Sequence, residues 1–427
     1  MSTNVSIVAE CSTLHVNPSS IPLYGPATQQ NRTFLNLAPA STSRFFFTAK
    51  TAMFLEDAAT MRLFFVPLIL TPMFVSAAER ACNNSPNLCN VGYDRVTHLG
   101  AHDSPFLHDA STGFSTFGNQ FFDTITQLDA GVRLLTAQVH ADTDPVTKAR
   151  QLRVCHTSCR FMDAGSFSDW LWQIRMWLDR NPNDVVTLVL VNYHFVSAGE
   201  FEADYSKADI AHYGYVPPKI NGPPPPSNQS HNTWPTLGEM VDKGERLVTF
   251  INVLLHDKEN SPYLVNEFDF LWENAYDVAS PAAFACTPDR PSNTTTIAEM
   301  RASGRLFLMN HMLYVHQAFG IITPNIERIE DTNSWNGPGG LGAHMTRCAS
   351  EIARQPTFVL VDYFNVGPAI QSVDVFNKVK APVGRKNVTT ESLEGGLGSK
   401  RTSGSKEGAP GALVAFVIAL VLVVFLC

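Results

Sequence analysis

Charge is scarce in this sequence. Asp, Glu, Lys and Arg make up 16% of 427 residues, where about a quarter is ordinary for a globular chain. With 44% apolar residues, that deficit excludes a disordered polyampholyte and favours a packed core. Positive charge is the scarcer sign: 31 Lys and Arg stand against 39 Asp and Glu, a net charge of -8. No nucleic-acid partner is expected, because phosphate backbones select basic surfaces. No Gly-x-Gly-x-x-Gly follows a strand-like run, which weighs against a dinucleotide fold. Cys155-x-x-x-Cys159 has no second Cys or His pair at zinc-finger spacing. No linker divides the middle of the chain, so one large domain is expected rather than two.

Both ends read as segments apart from that domain. Residues 61–77, MRLFFVPLILTPMFVSA, carry an Arg after the Met, an apolar run, and small residues at the end. That order is a secretory signal peptide, and the run is short for a span of roughly 20 residues. Residues 1–60 hold no sustained strand or helix period. We expect translation to start at Met61, with 1–60 a non-native or disordered extension. At the other end, 381–411 reads as a Gly/Ser-rich linker with a GPI attachment region near Ser403-Gly404-Ser405, and 412–427 as an apolar tail. No basic residue follows that tail. A spanning helix carries such a flanking charge, whereas a GPI signal does not need one. The expectation is a secreted, GPI-linked protein on the outer face of the plasma membrane or in the cell wall, with 78–380 as the folded domain.

Without the ends, eight cysteines become six: Cys82, Cys89, Cys155, Cys159, Cys286 and Cys348. An even count in an exported chain predicts three disulfides. Proximity in sequence favours Cys82–Cys89, Cys155–Cys159 and Cys286–Cys348. Sequons at Asn83, Asn228, Asn293 and Asn387 fit a glycoprotein.

Within the domain, short apolar runs predict strands at 95–100, 132–139, 152–156, 185–193, 246–251, 305–310 and 357–363. Phe167, Trp170, Leu171, Ile174, Trp177 and Leu178 recur on a helical period. Further helices are expected at 236–243 and 297–302, each leading into a strand. The Pro-rich stretch 216–235 blocks helix and central strand alike and reads as a surface excursion. Repeated helix-to-strand units predict a parallel α/β sheet. At roughly 320 residues the leading architecture is a single (β/α)8 barrel of TIM type, distorted if not regular. A doubly wound open sheet is the alternative.

Three stretches place polar groups at strand ends, where barrel enzymes carry their chemistry. They are Gly100-Ala101-His102-Asp103-Ser104, Gly131-Val132-Arg133, and Cys155-His156-Thr157. With Asn181-Pro182 before an apolar strand and Phe358–Tyr363 late in the chain, this set resembles the phosphatidylinositol-specific phospholipase C X-domain superfamily of PLC-like phosphodiesterases. The resemblance runs from about Asn90 to about Asn377. It implies a barrel acting on a lipid or phosphoinositol-type phosphodiester, with two catalytic histidines. His102 would take the proton from the attacking inositol hydroxyl, and His156 would protonate the leaving oxygen. Histidine suits both tasks because its pKa lies near working pH. Asp103 matches the family carboxylate that orients the second histidine, and Asp362 is a candidate to orient His102.

The sequence departs from the pattern one strand later. Relatives compensate the phosphate charge there with calcium held by Glu and Asp, or with an Asp and an Arg. Here Thr136 and Gln138 occupy those places, and neutral groups of this kind rarely build a calcium site. No metal or cofactor is therefore assigned, although calcium stays open. Arg133, Gln138, His140 and Arg153 form the candidate substrate-binding set, with Arg133 on the strand face opposite Gln138. The uncharged pair motivates a rival reading, a degenerate barrel that binds at the cell surface or wall. A third reading, a glycosidase, needs two facing carboxylates, for which Glu267 and Glu273 near a later strand are the candidates.

Overall fold

A computed structural model describes residues 79–390 except 145, 226–232 and 293–295. All of these belong to one compact unit, Val75–Cys427. The expected signal peptide, N-terminal extension, GPI region and apolar tail lie outside the described residues, as do the sequons at Asn228 and Asn293. Among the described residues, no helix is long and apolar enough to cross a membrane.

Among the described residues, twelve strands follow one another. They are β1 (His98–Ala101), β2 (Leu134–Thr143), β3 (Arg150–His156), β4 (Met162–Ser166), β5 (Val186–Asn192), β6 (Leu247–Asn252), β7 (Leu264–Asn266), β8 (Leu271–Glu273), β9 (Leu306–Asn310), β10 (Tyr314–His316), β11 (Ile322–Pro324) and β12 (Phe358–Val361). Eight of them run parallel in the order β7-β6-β5-β2-β1-β12-β9-β8. This is the expected α/β barrel, distorted at one seam. No backbone pairing joins β7 to β8, and a single helical turn, Glu267–Phe270, is all that separates them in sequence.

Alternation along the strands divides the core into two layers. Leu134, Val189, Phe250, Leu308, Phe358 and Leu360 fill one side of the curled sheet. Their neighbours Leu135, Leu188, Leu190, Ile251, Val359 and Val361 pack on the other side, against the helices. Period-2 exchange with both faces buried is what a helix-covered parallel sheet demands. The helix Phe167–Arg180, here α1, buries Phe167, Trp170, Leu171, Ile174, Trp177 and Leu178, as the spacing predicted. Trp172 faces solvent.

The stretch 152–156 does not take a place in the parallel barrel. As β3 it runs antiparallel to the outer half of β2, from Val139 opposite Val154 to Thr143 opposite Arg150, and β4 extends the same ribbon. The connection 144–149 explains this. A parallel return needs a crossover of a dozen or more residues, while a short turn allows only a hairpin.

All three expected disulfides are formed. The domain boundary moves outward, because the start of the expected linker is folded. Val383 N–H donates to Asn84 O and Lys386 N–H to Asp129 O, and Arg385 forks onto both oxygens of Asp374. The Asn83 sequon is also overturned as a glycan site. Asn83 is buried, and its Oδ1 accepts from Val185 N–H at 2.7 Å. Asn387 is exposed.

Candidate active site

The chain leaves β1 through a tightly stitched corner. Gly100 is closely packed there: a Cβ would come within 2.6 Å of Leu134 and 2.9 Å of Leu360, and both leucine side chains would have to shift. His102 N–H donates to Val361 O, which carries the β1–β12 ladder one residue past the strand. Asp103 then turns with φ of 46°, a left-handed conformation that Asp tolerates better than most residues. Thr136 holds the turn from β2. Its Oγ1 accepts from Asp103 N–H at 2.7 Å, and its carbonyl accepts from Ser104 N–H at 2.8 Å. Thr136 is thus the fastener that aims His102 and Asp103 into the barrel mouth.

Two carboxylates and two imidazoles meet at that mouth. His102 Nδ1 stands 2.8 Å from Asp362 Oδ1, which also accepts from Asn119 Nδ2 at 2.9 Å. The other edge of the ring, Nε2, lies 3.6 Å from Asp103 Oδ2. His156 Nε2 approaches the same oxygen at 3.3 Å from the end of β3. Gln138 Nε2 donates to it at 2.8 Å, while Gln138 Oε1 accepts from Thr157 N–H at 2.8 Å. One amide therefore spans from the carboxylate to the backbone beside His156. Phe106 and Phe117 bound the His156 ring at centroid distances of 5.2 and 5.7 Å.

The two histidines differ in charge. Burial works against protonation of His102, but Asp103 and Asp362 outweigh it and push its pKa up to about 9. Burial lowers the pKa of His156, and Asp103 only partly offsets this. At neutral pH the pair carries one proton, held on His102. That is opposite to the resting states implied for His102 as base and His156 as acid. In a coupled pair, however, the total count governs the rate, not the site that holds the proton at rest.

A cavity of about 270 Å³ opens beside this group. Its far wall carries a second charged cluster from β8, β9 and the loops nearby. Arg290 pairs with Glu273 and lies over the Tyr276 ring at 4.5 Å. Asn310 Nδ2 donates to Glu273 at 2.8 Å. Buried Glu267 is hydrogen-bonded to Glu273, and desolvation together with the Glu273 charge drives its pKa well up, so the two share a proton. Glycosidase carboxylates stand about 5 Å apart or more. Glu267 and Glu273 are in contact, so the third reading loses its geometry. Arg290 went unnoticed in the sequence because it follows no strand and belongs to no motif.

The structure brings together His102, His156, Asp103, Asp362 and Gln138, and leaves the other candidates apart. Arg133 is buried below the strand ends, with Nη2 2.8 Å from both Asp184 and Asn84 and its guanidinium 5.0 Å from the Trp177 ring centre. Arg153 pairs with Asp144 and Asp163 on the β3 ribbon. His140 stacks on Tyr193 at 4.2 Å, and burial lowers its pKa to about 4. None of the three lines the cavity. Arg133 is held by Asp184 and Arg153 by Asp144 and Asp163, and the His140 ring is taken up by Tyr193. Calcium finds a poor donor set here. Asp103 Oδ2 is engaged by Gln138 and the histidines, and the two glutamates are tied to each other and to Arg290, whereas calcium asks for six to eight free oxygens.

The family model described as PI-PLC X 1 matches residues 88–377. A PI-PLC X domain-containing protein 1 of Arthroderma benhamiae is 32% identical over 315 residues, covering 73% of this chain and 95% of the relative. A second protein of that fungus, named as an uncharacterized secreted protein, is 30% identical over 297 residues, covering 69% of this chain and 62% of its own length. Among solved structures, the phosphatidylinositol-specific phospholipase C from Listeria monocytogenes aligns with 70% of this chain and 97% of its own, at 14% identity and a TM-score of 0.40.

Proposed function

The chain belongs to the PI-PLC X family, and from that premise we propose that it is an exported phosphodiesterase that cleaves a phosphoinositol-type lipid by acid–base catalysis between His102 and His156. A phospholipase-like function is what the family supports. The observation that carries the finer reading is the shared oxygen. Asp103 Oδ2 lies 3.6 Å from His102 Nε2 and 3.3 Å from His156 Nε2, so both ring edges converge on one carboxylate, which lines the cavity together with His102.

A headgroup hydroxyl next to the phosphate would lose its proton to one imidazole as its oxygen attacks phosphorus. The other imidazole would protonate the departing glycerol oxygen, leaving a cyclic phosphate and a diacylglycerol. The proton given up and the proton received leave the pair with its starting count of one. Asp362 and Asn119 fix the His102 ring, and Asp103 and Gln138 fix its relation to His156. Arg290 is the cation on the cavity wall that can meet the phosphate charge.

A lipid substrate is further supported by what surrounds the mouth. Phe195, Val253, Leu255, Tyr276, Val315 and Ile322 follow the C-terminal ends of β5, β6, β8 and β9 with apolar surface exposed. Leu255 is 90% exposed and Phe195 74%. In this reading these side chains rest on the bilayer while the headgroup enters the cavity. The relative named as secreted, the apolar segment at 61–77 and the three disulfides support export, and the C-terminal tail supports a GPI anchor.

The test is turnover of phosphatidylinositol in vesicles by the purified protein. Wild type should release diacylglycerol and a cyclic inositol phosphate, and His102→Ala should abolish release with an unchanged circular dichroism spectrum. Absence of phosphodiester cleavage by wild type, with calcium or without, overturns the proposal. Thr136 and Gln138 favour a second reading, binding without turnover, and vesicle binding with no product would establish it.

A further inference from the structure

His156 stands at the end of β3, and β4 begins at Met162, its partner across the ribbon. Residues 157–161 are therefore the loop of a hairpin. The Cys155–Cys159 disulfide crosses this loop, so His156 and Thr157 lie inside a small covalent ring. The loop is stitched further by Phe161 N–H, which donates to Ser158 O at 2.9 Å. The Phe161 ring stacks on Phe117 at 5.2 Å, and Phe117 in turn bounds the His156 ring.

Thr157 is the unusual residue of the loop. Its φ is 59°, in the left-handed region that a β-branched side chain resists. Strain of this kind persists only where the surroundings over-determine it, and it gathers at functional sites. Two restraints act here. The disulfide closes the chain on either side of Thr157, and Gln138 Oε1 accepts from Thr157 N–H at 2.8 Å. In this conformation the side chain turns back on the preceding residue, and Thr157 Oγ1 lies 3.1 Å from His156 Nδ1. The other ring nitrogen, Nε2, faces Asp103 Oδ2 at 3.3 Å. Each nitrogen of His156 thus has one partner of its own.

The two partners differ in a way that suits a ring that changes its proton. An ionised carboxylate only accepts, whereas a hydroxyl both donates and accepts. The neutral ring directs Nε2–H at Asp103, and its Nδ1 lone pair takes the Thr157 O–H. In the imidazolium both nitrogens carry hydrogen, and the hydroxyl rotates to accept from Nδ1–H. The ring keeps both contacts in both charge states without moving. A carbonyl or an N–H in that place would serve only one of them. We propose that Thr157 is a positioning residue for His156, its hydroxyl holding Nδ1 through both charge states while the Cys155–Cys159 disulfide keeps Thr157 in the left-handed turn. This rests on the two-histidine reading above and adds to it the device that holds the second imidazole still.

The experiment uses the full chain with phosphatidylinositol vesicles. Thr157→Val keeps the shape and the N–H but loses the hydroxyl, and Thr157 is exposed, so the variant should fold. Its kcat should fall about 2- to 10-fold, the worth of one neutral hydrogen bond, with KM and vesicle binding unchanged. Thr157→Ser should restore kcat. Cys155→Ala with Cys159→Ala should lower kcat further, by about 10- to 100-fold, as misplacement of a reacting group does. Wild-type kcat in both Thr157→Val and the cysteine pair overturns the proposal. A second measurement is independent of turnover. At pH 8 the His156 Nδ1 resonance of histidine-labelled protein should be that of a nitrogen accepting a hydrogen bond in wild type and Thr157→Ser. In Thr157→Val it should move toward the value of an unbonded nitrogen. An unmoved resonance overturns the positioning role even in an active enzyme. A wild type that cleaves nothing, yet shows the shift, sinks the catalytic reading and supports the contact.

Discussion

Replacing Asp362 by Asn removes one of the two charges that hold the proton on His102. Asp362 supplies both a charge and a 2.8 Å hydrogen bond at Nδ1, and Asp103 supplies a charge at 3.6 Å from Nε2. Together they outweigh burial and carry the imidazole from 6.5 to about 9. At 1.36 kcal/mol per decade, that difference is worth about 3 kcal/mol between the two protonation states. The folded-state value lies above the unfolded one, so this stabilisation is complete below pH 6.5 and is lost as the pH rises through about 9. An opposite charge within hydrogen-bonding reach shifts a pKa by about 1 to 3 units, so Asp362→Asn should lower the His102 value by at least about one unit. Two assays read this. Imidazole resonances of histidine-labelled protein should show His102 titrating near 9 in wild type and clearly lower in the variant. Urea unfolding at pH 6 and pH 10 should show wild type losing more stability across that interval than the variant. A wild-type His102 that titrates at or below 6.5, or a variant with an unmoved titration, refutes the electrostatic reasoning.

Other outcomes follow from the same geometry. The rate should be highest where the histidine pair holds one proton, with a lower limb below 6.5 set by His156 and an upper limb near 9 set by His102, measured as kcat/KM against pH. Arg290→Met should lower kcat by about 100-fold or more; because Arg290 depresses the His102 pKa, the upper limb should also move up, and an unchanged limb would place Arg290 away from the reaction. Arg133→Met leaves Asp184 without its buried partner and should cost about 3–5 kcal/mol in chemical unfolding, and a loss under 1 kcal/mol would contradict the burial. Leu255→Ser with Phe195→Ser should reduce partition onto phosphatidylinositol vesicles by more than about 10-fold, at about 1.5–3 kcal/mol per apolar side chain buried, while turnover of a soluble short-chain substrate stays unchanged.

Elements with a strong local period were legible from the sequence. The helix Phe167–Arg180 and the strands β1, β2, β5, β6, β9 and β12 all stand close to where apolar spacing put them. The three-residue strands β7 and β8 were not, because so short a run has no period and is fixed only by pairing with β6 and β9. The β3 ribbon looked like a barrel strand because apolar alternation says nothing of direction; the length of the preceding turn does. Site residues divide in the same way. His102, Asp103 and His156 stood in motifs at strand ends. Arg133 drew notice through Gly131-Val132-Arg133 and Arg153 by charge alone, and both are spent on Asp184, Asp144 and Asp163.

The hardest feature to read was where the cavity keeps its positive charge. Sequence position put the question at Gln138, since the resemblance implied a charged group or a cation there. In the fold, Gln138 serves the neighbouring carboxylate. Its amide donates to Asp103 Oδ2 and accepts from Thr157 N–H, so it does by hydrogen bonding what a cation would do by charge. That leaves Asp103 as a full anion between two imidazoles, and Asp103 is a principal cause of the high His102 pKa. The permanent cation, Arg290, stands on the opposite wall, and its charge is balanced there by the proton-sharing pair Glu267 and Glu273. The site thus carries two nearly balanced groups facing each other across about 270 Å³, rather than one strongly positive floor. In the proposed function, a phosphodiester entering between them would meet charged His102 on one side and Arg290 on the other. In that reading charge compensation lies on the far wall rather than at the strand end, and only the fold brings Arg290 and His102 to one cavity.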